Sequence, residues 1–254
     1  VEQGFELFWR SRWSHPIRRL LRRPLLPAEI HVVNDFLLTL TDPVVAMVYD
    51  LPASLFDGVP VPLGWHPGFG ECWFDRPGKG LISRPTTALR LGRKLAGNRE
   101  TLRLVSPYLI LTRSLRRHLK RQRQAGVGIE ILTNSLASTD VPLVYGAYRR
   151  HRPWLERQGI VLAELAGEAH SLHAKLILMG EEEALLGSFN LDPRSLMLNT
   201  ELMLHLRCTA LCAELGHWLC GWQQAAAHPV VAPPSTLRRL LARLSDWLPL
   251  HPWL

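Results

Sequence analysis

The sequence predicts an α/β protein, built as a mixed, largely parallel sheet with helices over both faces. Three observations carry this. From about residue 98, short apolar runs alternate with longer amphipathic stretches, the rhythm of strands and covering helices. Glycines such as Gly126 and Gly159 stand where those helices would end. Hydrophobic residues make up 47% of the chain, ample for a core between layers.

The elements follow in order. Residues 1–23 read as a helix with arginines at 18, 19, 22 and 23. The run from Pro52 to Pro85 is rich in Pro and Gly, has little periodicity, and reads as irregular with short strands. Leu102–Ser106 is a strand, Thr112–Gln124 a helix capped by Gly126, Gly128–Asn134 a strand, and Val141–Gln158 one helix ended near Gly159. Ile160–Leu165, Lys175–Met179, Ala184–Ser188 and Thr200–Leu206 are further strands, and 209–227 is a helix. After Pro233-Pro234, Ser235 can N-cap a last helix. It carries Leu237, Leu240, Leu241, Leu244, Trp247 and Leu248 on one side, with Arg238, Arg239, Arg243 and Asp246 largely opposite. Such a helix suits an anionic bilayer surface or docking on the core equally well.

At 254 residues the chain can make one large domain or two small ones. Its formal net charge is +8, and Arg far outnumbers Lys. That favours anionic partners, phospholipid headgroups or nucleic acid, although a GC-rich genome, which raises Arg, Leu, Ala and Pro together, would leave the same mark. Four cysteines are no disulfide framework in a chain this long. Cys208, Cys212 and Cys220, spaced for one helix face, are expected to be buried thiols, and zinc would need further partners. No run reaches about eighteen apolar residues, so no spanning helix is expected.

The chemistry concentrates in His173-Ala-Lys175, followed by Gly187-Ser188-Phe189-Asn190 and Glu201. An imidazole attacks phosphorus at neutral pH with little need of deprotonation. A lysine two residues along an extended chain shares its face and can neutralise phosphoryl oxygens. Ser188 and Asn190 add neutral donors, and together the set suits attack on a phosphodiester. A lone H-x-K in a basic chain carries little weight. His118-Leu119-Lys120, inside Arg116–Arg123, reads as a solvated helix face.

The spacing resembles the phospholipase D superfamily motif, H-x-K-x4-D-x6-G-S-x-N, with His173, Lys175, Gly187, Ser188 and Asn190 in register and Gly180 at the aspartate position. Leu104-Val105-Ser106-Pro107-Tyr108, the stretch Gly128–Pro142, Leu191-Asp192-Pro193-Arg194-Ser195 and Asn199-Thr200-Glu201-Leu202 resemble the bacterial cardiolipin synthase branch, class C above all. Phe5–Ser11 looks like the segment after the first motif of such enzymes. The resemblance implies an α/β/α sandwich, a covalent phosphohistidine, and neither metal nor other cofactor. It gives Glu201 the role of holding the other nitrogen of the His173 ring. Ser106, Tyr108, Thr133 and Asn134, with Asp140, fall at strand ends where ligands of open α/β sheets gather, and so are candidates for the substrate pocket. Capping and turn duties explain Asn134, Ser135 and Asp140 as well. Glu181, Glu182 or Glu183 could stand in for the aspartate missing at Gly180, and Gly180→Asp is expected to raise activity or stability.

The family builds one site from two motifs, and this chain shows one. The implied organisation is a segment 1–97 linking from a missing first half, a catalytic half-domain 98–232, and an amphipathic tail 233–254. The implied activity is phosphatidyl transfer, forming cardiolipin from phosphatidylglycerol, or phosphodiester hydrolysis, on the cytoplasmic face of a bacterial inner membrane. Its implied partners are anionic phospholipid and a second motif from another half or another copy. The alternatives are a dimeric metal-independent nuclease and a non-catalytic fragment that binds anionic lipid.

Overall fold

A computed structural model describes residues 2–11, 68–81, 83–165, 171–227 and 235–247. In chain order the elements are α1 (Glu2–Trp9), β1 (Phe69–Phe74), α2 (Thr86–Gly97), β2 (Leu102–Val105), α3 (Arg113–Gln124), β3 (Ile129–Asn134), α4 (Pro142–Arg149), α5 (Arg152–Arg157), β4 (Val161–Leu165), β5 (Leu176–Met179), β6 (Glu183–Gly187), α6 (Pro193–Met197), β7 (Leu202–Arg207), α7 (Thr209–Ala227) and α8 (Thr236–Trp247). Residues 12–23, most of the Pro-rich run and Leu248 lie outside the described residues, with whatever the sequence leads one to expect of them.

The strands form one mixed sheet in the order β1-β7-β6-β5-β2-β3-β4. β2–β3 and β3–β4 pair parallel. The pairs β1–β7, β2–β5, β5–β6 and β6–β7 are antiparallel. Five of the seven strands therefore share one direction, with β5 and β7 reversed. Alternation along each strand sends side chains to two cores. Leu102, Leu104, Ile129, Ile131, Ile177 and Met179 pack with Leu91 and Leu95 of α2, Leu119 of α3 and Leu155 of α5. Val105, Leu132, Leu176 and Leu178 pack on the other face with Cys212 and Leu219 of α7. The result is an α/β/α sandwich.

Four expectations change. The sheet reaches upstream of residue 98, because β1 pairs along β7 and α2 seals the core behind it. The helix expected over Val141–Gln158 is two helices, broken at Arg150–His151. Pro153 lacks an N–H and its ring crowds the carbonyl four residues back, so the chain restarts a helix there. Of the three cysteines expected to be buried, Cys212 is buried, Cys208 half-buried and Cys220 exposed. A step of eight residues turns about 80° on a 3.6-residue helix, which swings Cys220 off the core face.

Gly180 is the fourth. It closes the β5–β6 hairpin at φ +62°, and its amide donates to the Thr101 carbonyl at 2.8 Å. Four strand residues separate it from Lys175, roughly 15 Å along the chain. An added Cβ would meet the Glu100 Cβ at 3.0 Å. A left-handed backbone favours glycine, so an aspartate here would strain the turn. Glu183 does not reach toward the motif either: it pairs with Lys94 and Arg207 at this far end.

Candidate active site

The register brings the motif residues to one edge. Val105 pairs with Leu176, Leu176 with Leu186, Gly187 with Met203, and Leu202 with Phe74. The C-terminal ends of β1, β2, β3 and β6 therefore meet the beginnings of β5 and β7. His173 and Lys175 lie in the extended lead-in to β5, Ser188 and Asn190 just after β6, and Glu201 just before β7.

His173 is exposed, as a nucleophile or proton donor must be, while Lys175 is buried and donates from Nζ to the His173 carbonyl at 2.6 Å. Burial lowers the Lys175 pKa, and the carboxylates of Glu201, Asp140 and Asp192 oppose that shift. The ammonium is thus held at the histidine's own backbone, facing the site.

Ser188 is clamped to the start of β7. Its amide donates to the Leu202 carbonyl at 2.9 Å, its Oγ accepts from the Leu202 amide at 3.0 Å, and the same hydroxyl donates to Glu201 Oε2 in a short hydrogen bond. The carboxylate that the resemblance assigns to the His173 ring is engaged by Ser188 in this structure. Gly187 explains how the strands come so close: a Cβ there would collide with the Leu202 carbonyl and the Met203 backbone. Asn190 is anchored through its amide, which donates to Ser195 Oγ at 3.1 Å. Its side-chain Oδ1 is buried with no hydrogen-bond partner. The two ends of a carboxamide are alike in shape, so that position can offer a donor or an acceptor to a substrate.

Behind the motif lies a buried ion pair that the sequence alone does not reveal. Lys79 Nζ donates to Asp75 Oδ2 at 2.6 Å, and neither side chain has exposed surface. Asp75 also accepts from the amides of Thr87 (2.9 Å) and Glu201 (3.1 Å) and from Thr86 Oγ1 (3.2 Å). Lys79 donates in turn to the Ser195 carbonyl at 2.6 Å and lies 5.7 Å from the Phe189 ring centre. The pair thus grips the backbones of Glu201 and Ser195 together. Asp75 and Lys79 stand in the Pro- and Gly-rich run, where no periodicity flags them. Ser195 was visible as the end of Leu191–Ser195, without a role.

The four pocket candidates divide. Ser106, Thr133 and Asn134 are buried. Ser106 Oγ donates to the Tyr108 carbonyl at 2.7 Å and accepts from the Leu191 amide at 3.0 Å, tying the loop after β2 to the loop after β6. Thr133 Oγ1 reaches the Pro107 carbonyl at 3.5 Å, a marginal contact. Asn134 brackets Leu172, donating to its carbonyl at 3.0 Å and accepting from its amide at 2.9 Å, and so fixes the residue before His173. Tyr108 is half-buried and donates to both oxygens of Asp140, at 2.9 and 2.8 Å. Burial, with that carboxylate beside it, pushes its pKa up to about 12, so the phenol stays protonated. Asp192 caps α6 by accepting from the Ser195 amide at 2.7 Å, and burial raises its pKa. No group of three or more His, Cys, Asp or Glu side chains among the described residues is placed to hold a metal ion.

Residues 91–219 match the family described as cardiolipin synthase, PLD-like domain. Cardiolipin synthase C of Escherichia coli is 32% identical over 231 residues, which cover 80% of this chain and 47% of that protein. The chain spans no more than about half the length of the curated relatives it matches. Among solved structures, phosphatidylserine synthase from Haemophilus influenzae superposes with a TM-score of 0.57 at 17% identity, covering 76% of this chain and 49% of that one. NUC from Salmonella typhimurium, a phospholipase D family member, gives 0.50 at 17% identity over 62% of this chain and 96% of that one. Those two likenesses speak for the fold. With half the chain inside the family match and most of it aligned to a cardiolipin synthase, the chain belongs to the cardiolipin synthase family of phospholipase D-like proteins.

Proposed function

We propose that this chain supplies one catalytic edge for phosphatidyl transfer through a phosphohistidine, with phosphatidylglycerol as donor and cardiolipin as product when a second phosphatidylglycerol is the acceptor. Family membership supports transfer or hydrolysis of phosphodiesters in general, within phospholipid metabolism. The observation that carries the finer reading is the gathering of exposed His173, the Lys175 ammonium, the Ser188 hydroxyl and the partly buried Asn190 amide at one sheet edge.

In the first step an imidazole nitrogen forms a bond to phosphorus, the bond to glycerol breaks, and the leaving oxygen takes a proton from a second histidine. In the second step the acceptor hydroxyl gives its proton back to that histidine, attacks phosphorus, and displaces the first imidazole. Water in place of the lipid alcohol gives hydrolysis. His173 is one of these two histidines, and the other comes from an equivalent motif in another half or another copy. Lys175 and the neutral donors stabilise charge on the phosphoryl oxygens as it builds. The protein works at the cytoplasmic face of a bacterial inner membrane.

The test is phosphatidylglycerol turnover in mixed micelles by the wild-type chain and by His173→Ala. Turnover lost in the variant is expected. Equal turnover in both would overturn the role of His173. Cleavage of plasmid DNA in chelator, without lipid turnover, would reassign the chain to the nucleases.

A further inference from the structure

We propose that α8 docks this protein on the surface of an anionic bilayer, with the catalytic edge turned toward the lipid. The substrate named above gives that surface its purpose, but the docking is argued and tested separately.

Ser235 starts the helix, its Oγ accepting from the Arg238 amide at 3.3 Å and its carbonyl from the Arg239 amide at 3.1 Å. One side of α8 packs on α4, where Ala242 is buried. The other side is uncovered by the described residues. Leu237, Leu240 and Leu244 are 64%, 56% and 42% exposed, and a spacing of three and four residues aligns them in one stripe. The exposed side chains of Arg239 and Arg243 run along one side of it. An apolar stripe with arginines along one side is the pattern of a helix lying in a headgroup layer, with leucines inward and guanidinium groups on phosphates. No helix among the described residues is long and apolar enough to cross a membrane.

Arg238 sets where this stripe sits. Its Nη1 donates to the carbonyls of Leu136 (3.2 Å), Ala137 (3.0 Å) and Thr139 (2.7 Å), in the loop that follows β3 at the catalytic edge. In the same loop Ser138 Oγ donates to Asn134 Oδ1 at 3.1 Å, the atom that accepts from the Leu172 amide next to His173. The helix is thereby latched to the scaffold of the motif. Exposed apolar residues recur where the chain crosses this edge between β6 and β7, at Met197 and Leu198, and at Leu81. Gly80 lies against the Met197 carbonyl, which joins them in one patch. A chain of net charge +8 is repelled by its own copies and attracted to an anionic surface, which favours the bilayer over a second copy as occupant.

The experiment is co-sedimentation with vesicles, either phosphatidylglycerol mixed with phosphatidylcholine or phosphatidylcholine alone, at low and high salt. The wild-type chain is expected to pellet with the anionic vesicles and to be released by salt. The triple variant Leu237→Glu, Leu240→Glu, Leu244→Glu should lose at least tenfold in vesicle affinity while keeping its melting temperature, since all three positions are exposed. Arg239→Gln and Arg243→Gln should each weaken binding about fivefold and flatten the salt dependence. Failure of the wild-type chain to bind anionic vesicles would overturn the proposal, as would equal binding by the triple variant. Conversion of a dimer to a monomer by the triple variant, with lipid binding unchanged, would assign the stripe to a second copy instead. Sedimentation needs no turnover. A failed docking test therefore leaves the catalytic reading standing, and intact docking without turnover counts against that reading alone.

Discussion

Lys79→Met leaves the Asp75 carboxylate fully buried without its cation, and the consequence can be sized from its surroundings. Removing one partner of a buried ion pair costs about 3–5 kcal/mol, because the remaining charge is stranded in low dielectric. Asp75 keeps three donors, the amides of Thr87 and Glu201 and the Thr86 hydroxyl, which argues for the lower end, about 3 kcal/mol. For a domain of roughly 150–250 residues each kcal/mol moves Tm by about 2–4 °C, so the fall should be about 6–12 °C. The double variant Asp75→Asn with Lys79→Met removes both charges and keeps an acceptor for one of the two amides, which bind different carboxylate oxygens. It should recover part of the loss, giving a coupling above the scatter of independent sites. Thermal unfolding followed by circular dichroism on the four proteins measures the cycle. A fall of less than about 2 °C in Lys79→Met, or a double variant no better than the sum of the two single ones, would refute the idea that this pair holds Glu201 and Ser195 in place.

Two further outcomes follow from the same geometry. Gly180→Asp places a side chain on a left-handed residue beside Glu100, so it should lower stability by about 1–2 kcal/mol, and a higher Tm or a gain in turnover would show that the turn is not strained by it. Because burial lowers the Lys175 pKa from 10.5, the alkaline limb of turnover should set in below that value, and Lys175→Arg should move it upward, since a guanidinium does not titrate there. The sign for stability agrees. Between the lowered native pKa and 10.5 the unfolded chain binds more protons than the folded one, so stability should rise with pH in that window. An alkaline limb unmoved in Lys175→Arg would assign it to another group.

The sandwich was legible because its signals are local. Period-two alternation in runs such as Leu102–Val105 and Ile129–Asn134 needs no knowledge of what lies across the sheet, and Gly126 and Gly159 mark helix ends by backbone preference alone. The motif was legible for a related reason: His173 through Asn190 span a lead-in, one hairpin and the residues just after it, so spacing in sequence maps nearly onto spacing in space. The single helix expected over Val141–Gln158 shows the limit of periodicity, which carries nothing of the steric clash that Pro153 brings to the chain. Short strands were expected somewhere in the Pro- and Gly-rich run, and pairing with β7 makes Phe69–Phe74 one of them; α2 follows that run and was not read.

What the sequence by itself determined is therefore the fold class, the family and the motif that would meet a phosphodiester. What the tertiary structure decided is everything that depends on partners distant in the chain: that Asp75 and Lys79 brace Glu201 and Ser195, that Asn134 fixes the residue before His173, that Gly180 turns a hairpin far from the site, and that Arg238 latches α8 with its leucines outward. These contacts are set by how strands of opposite direction are brought to one edge. The free energy that selects them comes from burial and from pairing polar groups across the whole molecule, which no local stretch of residues carries.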